Sequence, residues 1–245
     1  MQHIVIVGAT STIARECALI WAKRPETSLH LVGRDDERLL AVRSDLLVRF
    51  PEVLISTHTV DFLDPQAIDT LVSEIGQSVG IDKALVAHGF MPDQLAAQAD
   101  LSLLKETLEV SGVSPILFAE SFAKHFFASD SGTLGVISSV ADVRGRRKNY
   151  IYGSTKAMIS YYLAGLAHRA FGTSVKIISL KPGPTATPMT GHLPNRGLAK
   201  ASKVAAGIVE AMDGPTSVVY LPKIWRLITL IIGLLPTRVF NRLNL

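Results

Sequence analysis

Short apolar runs alternate along this chain with longer segments whose apolar positions recur every three or four residues. The runs are HIVIV at 3–7, SLHLV at 28–32, VLISTHTV at 53–60, ALVAH at 84–88, TLGVIS at 133–138 and VKIISL at 175–180. This spacing predicts strands separated by helices. The first, fourth, fifth and sixth runs are almost continuously apolar, whereas a strand with one wet face would alternate. They therefore predict parallel strands covered by helices on both sides, in a doubly wound α/β fold. Asp64 as N-cap with Pro65 at the first helical position predicts a helix ending at Gly80. Residues 100–128 and 150–171 predict two further long helices, the second closed by Gly172.

Composition adds a large core. Hydrophobic residues make up 48% of the 245 positions and charged residues 19%, which excludes global disorder and suits one domain. With a net charge of +4 and no run of five like charges, the sequence gives no support to a nucleic-acid partner. Cys17, the single cysteine, lies in an Ala/Leu/Ile-rich helical pattern and reads as a small buried side chain in a reducing compartment. MQHIVIVGAT lacks the features of a secretory signal, and no stretch reaches the roughly 18 apolar residues of a spanning helix, so a cytoplasmic protein is expected. No metal site is expected.

One domain over residues 1–221 is therefore predicted, followed by a tail of different composition at 222–245. The tail contains no acidic residue but has Lys223, Arg226, Arg238 and Arg242. From Leu227 to Leu235 only Thr229 and Gly233 interrupt its apolar character. A helix over that run rises only about 13–14 Å, under half the thickness of a bilayer core. Three readings stay open: peripheral contact with a membrane surface through 223–245, a contact between subunits, or a cover over a substrate cleft.

The turn after the first strand, GATSTIA at 8–14, is where a Rossmann βαβ unit holds a pyrophosphate against a helix N-terminus. Gly8 supplies backbone freedom, Thr10, Ser11 and Thr12 offer hydroxyls, and Ile13 belongs to the first helical turn. At the end of the second strand Arg34 stands where the adenosine ribose is held, and an arginine there pairs with a 2′-phosphate. That favours NADP(H) over NAD(H), although Asp35 follows immediately.

In ISSVADVRGRRKNYIYGSTK, residues 137–156, Tyr152 and Lys156 form a YxxxK pair and Ser139 precedes the tyrosine. Positions i and i+4 share a helix face. Lys156 is thus placed to lower the phenol pKa of Tyr152 and to hold the nicotinamide ribose, while Ser139 can hydrogen-bond the substrate oxygen. Tyr150 has no lysine four residues on and is set aside.

These motifs resemble short-chain dehydrogenases/reductases in collinear order over about residues 1–220. The nucleotide loop departs from the family's TGxxxGxG, with Thr12 and Ala14 in the later two glycine positions. The resemblance implies an oxidoreductase interconverting a ketone and a secondary alcohol, and a homo-oligomer. It further implies cofactor contacts at Asp61 and Phe62 (or a turn cap at Asp61), at Ala87, His88 and Gly89 in AHG, and at Pro182, Gly183, Thr185 and Thr187 in KPGPTATPMT. His88 is given no proton-transfer role. Residues 184–198 would form a substrate lid. The family's catalytic asparagine, which helps hold a proton-relaying water, aligns with Ser111 and leaves the relay altered. The loop VRGRRKNY, with Arg144, Arg146, Arg147 and Lys148, borders the expected substrate mouth. Together with the tail it is similar to decaprenylphosphoryl ketopentose reductases, which implies a lipid-linked or phosphorylated sugar ketone. The alternative is a dinucleotide-binding sensor or scaffold with little turnover.

Overall fold

The computed structural model describes residues 1–191 and 197–243. Seven parallel strands form the central sheet: β1 (Gln2–Val7), β2 (Thr27–Gly33), β3 (Leu54–Thr59), β4 (Lys83–Val86), β5 (Gly132–Ile137), β6 (Val175–Pro182) and, after the short β7 (Thr185–Ala186) and β8 (Ala199–Lys200), β9 (Val218–Leu221). Their order is β3-β2-β1-β4-β5-β6-β9, so the winding reverses between β1 and β4. A ligand crevice opens at such a reversal, beyond the carboxyl ends of the strands.

Helices cover both faces, as the apolar strands require. On one side α1 (Thr12–Trp21), α2 (Asp36–Arg49) and α8 (Ala201–Asp213) pack Trp21, Leu39 and Ile208 against Ile4, Ile6 and Leu180. On the other, α3 (Pro65–Ser78), α6 (Ser114–Ser129) and α7 (Tyr150–Arg169) pack Phe118, Phe122 and Ile159 against Val5, Val86 and Val136. Cys17 lies in the first layer, its thiol pushed up by burial and left inert. Asp64 caps α3 as its position predicts, accepting from Gln66 N and Ala67 N.

Three local expectations change. The segment 100–128 is not one helix: α4 (Gln94–Ala99) and α5 (Leu101–Leu108) lead into a π-helical turn at Glu109–Val113 before α6. β4 stops at Val86, which leaves Ala87, His88 and Gly89 beyond the strand end. The edge strand β9 is a seventh sheet member that the apolar runs did not reveal, because of its four residues only Leu221 is buried at the sheet margin.

Beyond β9 the chain forms α9 (Trp225–Leu234) and α10 (Thr237–Phe240). Among the described residues no helix is long and apolar enough to cross a membrane.

Candidate active site

Gly8 has φ +75°, the left-handed region that favours glycine. A Cβ there would lie 2.7 Å from His88 Cβ, so the loops after β1 and β4 meet backbone to backbone at the switch point. Ser11 caps α1, accepting from Ala14 N at 3.3 Å. The N–H groups of Thr12 and Ile13, in the first helical turn, have no intrahelical acceptor and face the crevice end of the helix. Thr10 is exposed, and Thr12 is half-buried at the helix start. The Ala14 methyl, at the third glycine position, is fully buried in the core under the helix, so it adds packing and leaves the loop open. These donors and this cradle fit a dinucleotide pyrophosphate.

Arg34 emerges exposed at the end of β2, its guanidinium carbon 5.8 Å from the Phe62 ring centre. Asp35 caps α2 through Arg38 N and pairs with the Arg38 side chain at 3.4 Å. Asp61 caps a turn, accepting from Leu63 N at 2.9 Å. The Phe62 ring is 3% exposed and packs on His88 and Phe118. His88 bonds Ser114 Oγ through Nε2 at 2.9 Å. Burial, reinforced by Lys156 and Arg34, lowers it to about 3, so the ring is neutral and structural.

Gly89 lies over the chemical end. A Cβ there would sit 3.3 Å from Lys156 Nζ and 3.8 Å from Ser111 Oγ, so the loop passes close to both. Ser111, fully buried in the π-turn, donates to Phe90 O and accepts from Phe90 N, both at 2.6 Å. The extra residue of a π-turn aims its side chain inward, and such turns concentrate at functional sites. The hydroxyl's one proton is committed to Phe90. Ser111 therefore holds the loop rather than donating to a relay.

Ser139 follows β5 and opens a 3₁₀ turn at Val140–Asp142, accepting from Ala141 N at 3.1 Å. Its hydroxyl stands beside the Tyr152 phenol and favours the ionised form. Lys156, one turn along α7, is 2% exposed; its Nζ bonds Ile137 O at 3.2 Å and lies 5.5 Å from the Tyr152 ring centre. The fold thus brings Ser139, Tyr152 and Lys156 together beside Ser111. The expected depression of the phenol pKa is not found. Burial pushes Tyr152 up to about 12, with the Asp142 carboxylate adding to the rise and the Ser139 hydroxyl opposing it. Burial also lowers Lys156 to about 8. Desolvation outweighs a single ammonium whose own charge is penalised by the same surroundings.

Sequence reasoning passed over the support beneath this triad. Asp142 pairs with Lys181 at 2.7 Å and with Ser160, which in turn bonds Ser138 at 2.7 Å. Ser138 donates to Lys156 O at 3.0 Å, so the network braces the helix turn that carries the lysine. The signal was present: Asp142 and Lys181 are charges in otherwise apolar surroundings.

In the loop after β6, Pro182 and Gly183 are buried and Thr185 donates to Gly183 O at 2.9 Å, which commits its proton to the loop itself. Thr187 forms a capping box with Thr190. The part of the expected lid at 192–196 lies outside the described residues. Trp225 of α9 covers Gly183, where an added Cβ would fall 2.0 Å from the indole nitrogen. Arg144 reaches the same tail: it donates to Ile232 O at 3.2 Å, to Leu235 O and to Thr237 Oγ1, and stacks 4.0 Å from the centre of Phe240. One face of the tail is therefore packed on Gly183 and on the loop between Ser139 and Tyr152.

A parallel sheet with a glycine turn at its switch point and a Ser–Tyr–Lys group, its lysine buried, at the next strand end is the arrangement of the dehydrogenase class of nucleotide-binding α/β proteins. The chain belongs to the short chain dehydrogenase family, whose model matches residues 2–196. It is 30% identical over 242 residues to an uncharacterised oxidoreductase of Mycobacterium tuberculosis, covering 98% of this chain and 96% of the relative. It is 28% identical over 245 residues to another from Streptomyces coelicolor, covering 99% and 96%. A short chain dehydrogenase from Burkholderia cenocepacia, solved with NADP, superposes with a TM-score of 0.83 at 16% identity over 99% of this chain and 98% of that one. One from Sphingobium yanoikuyae, solved with NADPH, gives 0.79 at 20% identity over 91% and 88%.

Proposed function

We propose that this oxidoreductase is NADP(H)-dependent and interconverts a ketone and a secondary alcohol, with residues 1–221 as the dinucleotide-binding and catalytic unit. The observation that carries the reading is the Tyr152 phenol beside Ser139, with the Lys156 ammonium one helical turn away and 5.5 Å from its ring centre. A bound nicotinamide supplies or accepts the hydride. Ser139 hydrogen-bonds the substrate oxygen. In the reducing direction Tyr152 donates its proton to that oxygen; a phenol held near 12 is fully protonated at neutral pH and suits this direction. Lys156 holds the ribose hydroxyls, and Ser111 fixes the Phe90 loop beside it. Arg34 pairs with a 2′-phosphate, a choice supported by Asp35's engagement elsewhere and by the NADP and NADPH in the two solved neighbours. A sensor or scaffold would need no such assembled triad.

Titrating NADPH and NADH and following hydride transfer to a ketone panel tests the reading. Tighter NADPH binding with turnover of at least one ketone is expected; turnover with NADH alone would overturn the cofactor choice. A lipid-linked or phosphorylated sugar ketone is the substrate class we favour, supported by the cationic catalytic loop beside an apolar tail.

The same tail supports peripheral contact with an anionic membrane surface from the cytoplasmic side. Leu230 and Leu234 on α9 are 58% and 75% exposed, and Lys223, Arg226, Arg238 and Arg242 stand exposed around them without an acidic residue. Co-sedimentation with anionic liposomes is expected, and its loss after Leu230→Ser/Leu234→Ser; equal sedimentation of that variant would remove the contact. Family practice supports a homo-oligomer.

A further inference from the structure

The proton donor Tyr152 stands in the part of its helix that has least to hold it. It is the third residue of α7 (Tyr150–Arg169). The N–H groups of Tyr150, Ile151 and Tyr152 have no acceptor within the helix, whose ladder begins with Gly153 N donating to Asn149 O at 2.8 Å. A helix start is ordinarily closed by the side chain of its N-cap residue, which accepts from the second or third N–H. Asn149 occupies that position and makes no such bond. The chain in front of it, 143–149, is neither helix nor strand.

The missing bond comes from another element. Gln94 Oε1 accepts from Ile151 N, the second N–H of α7, at 3.3 Å. Gln94 opens α4 (Gln94–Ala99), where Asp93 fixes the backbone by accepting from Ala96 N at 2.9 Å. The residue is 9% exposed, so little water competes for its oxygen. Its Nε2 is buried without a partner among the described residues, which makes the oxygen the working atom. An apolar side chain of the same length would avoid that buried donor, but it would leave Ile151 N without an acceptor.

We propose that Gln94 is a positioning residue: from α4 it supplies the cap that α7 lacks, and so holds the turn that presents the Tyr152 phenol to the substrate. Its catalytic consequence rests on the hydride-transfer reading; the cap itself does not. Two side-chain bonds then tie the segment after β4 to the site, one between Ser111 and Phe90 and one between Gln94 and Ile151. Lys156 lies a full turn further into α7, past the unpaired N–H groups. Loss of the cap therefore acts on the proton donor more than on the group that holds the ribose.

The test uses full-length Gln94→Met, which keeps side-chain length and removes the acceptor, and Gln94→Glu, which keeps an acceptor and adds a charge that a helix N-terminus favours. NADPH affinity, kcat and KM for the ketone that wild type reduces fastest, and amide hydrogen exchange by NMR are measured for each. In Gln94→Met, kcat is expected to fall about tenfold or more through misplacement of the phenol, with NADPH affinity within about twofold of wild type. Exchange at Ile151 and Tyr152 should quicken about tenfold while that of α3 stays near wild type. Gln94→Glu should bring both quantities back to within about threefold of wild type. Retained kcat in Gln94→Met overturns the proposal. So does a Gln94→Glu protein as impaired as Gln94→Met, because a side chain that only filled space would make methionine the better substitute. Exchange quickened equally in α3 also overturns it, since the effect would then belong to the whole fold. If wild type reduces no ketone, the hydride-transfer reading falls and the exchange pattern alone decides the cap. If wild type and Gln94→Met turn over alike, only this inference falls.

Discussion

The two ends of the crevice are built on different physical principles. At the nucleotide end the working groups are backbone N–H donors in a helical turn and an exposed arginine, and the His88 ring beside them is neutral. At the chemical end the working groups are side chains wholly or partly taken out of water: Lys156, Tyr152 and, beneath them, the Asp142–Lys181 pair. Backbone dipoles tolerate substitution, which is why Thr12 and Ala14 can replace glycines without closing the loop. Buried charges do not, because each depends on a named partner for its protonation state.

If that contrast holds, substitutions at the chemical end act on chemistry and those at the nucleotide end act on affinity. The largest effect is expected at Tyr152. Tyr152→Phe removes the proton donor and little volume, so kcat should fall by about 10²–10⁴ while NADPH binding stays near wild type. Stopped-flow hydride transfer against cofactor fluorescence separates the two quantities, and retained turnover would remove Tyr152 from the acid–base role.

Next comes Arg34→Ala, which should shift the NADPH-to-NADH affinity ratio by about 10–100-fold through loss of charged hydrogen bonds, with little change in kcat at saturation. An unchanged ratio would mean that the 2′-phosphate is held elsewhere.

Ser111→Ala joins the two ends, since the hydroxyl serves both backbone groups of Phe90. Leaving those groups unpaired should cost about 1–3 kcal/mol in urea unfolding, with a slower turnover. Unaltered stability and rate would reduce the π-turn to a packing feature.

The smallest effect is the acid sensitivity of His88. Its folded value of about 3 lies below the ordinary 6.5, so the unfolded chain takes up a proton that the folded chain refuses. Stability is complete above 6.5 and falls as pH drops from there towards 3, by about 1 kcal/mol between neutral pH and pH 5.5. His88→Gln should flatten that slope in pH-dependent unfolding; an equal slope would place the sensitivity elsewhere.

Much of this site could be read in the chain because it depends on local spacing. The YxxxK pair needs only a helix, Gly8 only a strand-to-helix turn, and Asp64 with Pro65 only the rules of a helix start. The sequence likewise carried the parallel sheet, since β1, β4, β5 and β6 are apolar on both faces. It did not carry β9, whose half-exposed pattern is that of many surface segments, nor the break of 100–128 into α5, a π-turn and α6.

What remained for the tertiary structure were the quantities set by neighbours distant in sequence. Tyr152 is pushed up rather than down because burial around it exceeds the effect of Lys156, and no spacing rule reports burial. Ser111 has a role because Phe90 comes within hydrogen-bond reach across the fold. Arg144 and Arg146 look alike in VRGRRKNY, yet one donates to the folded tail and the other has two guanidinium nitrogens shut off from solvent without a partner among the described residues. The chain fixed which chemical groups are present and which share a helix face. Their solvation and partners were decided only by packing, because desolvation and pairing depend on what the folded chain places around each charge.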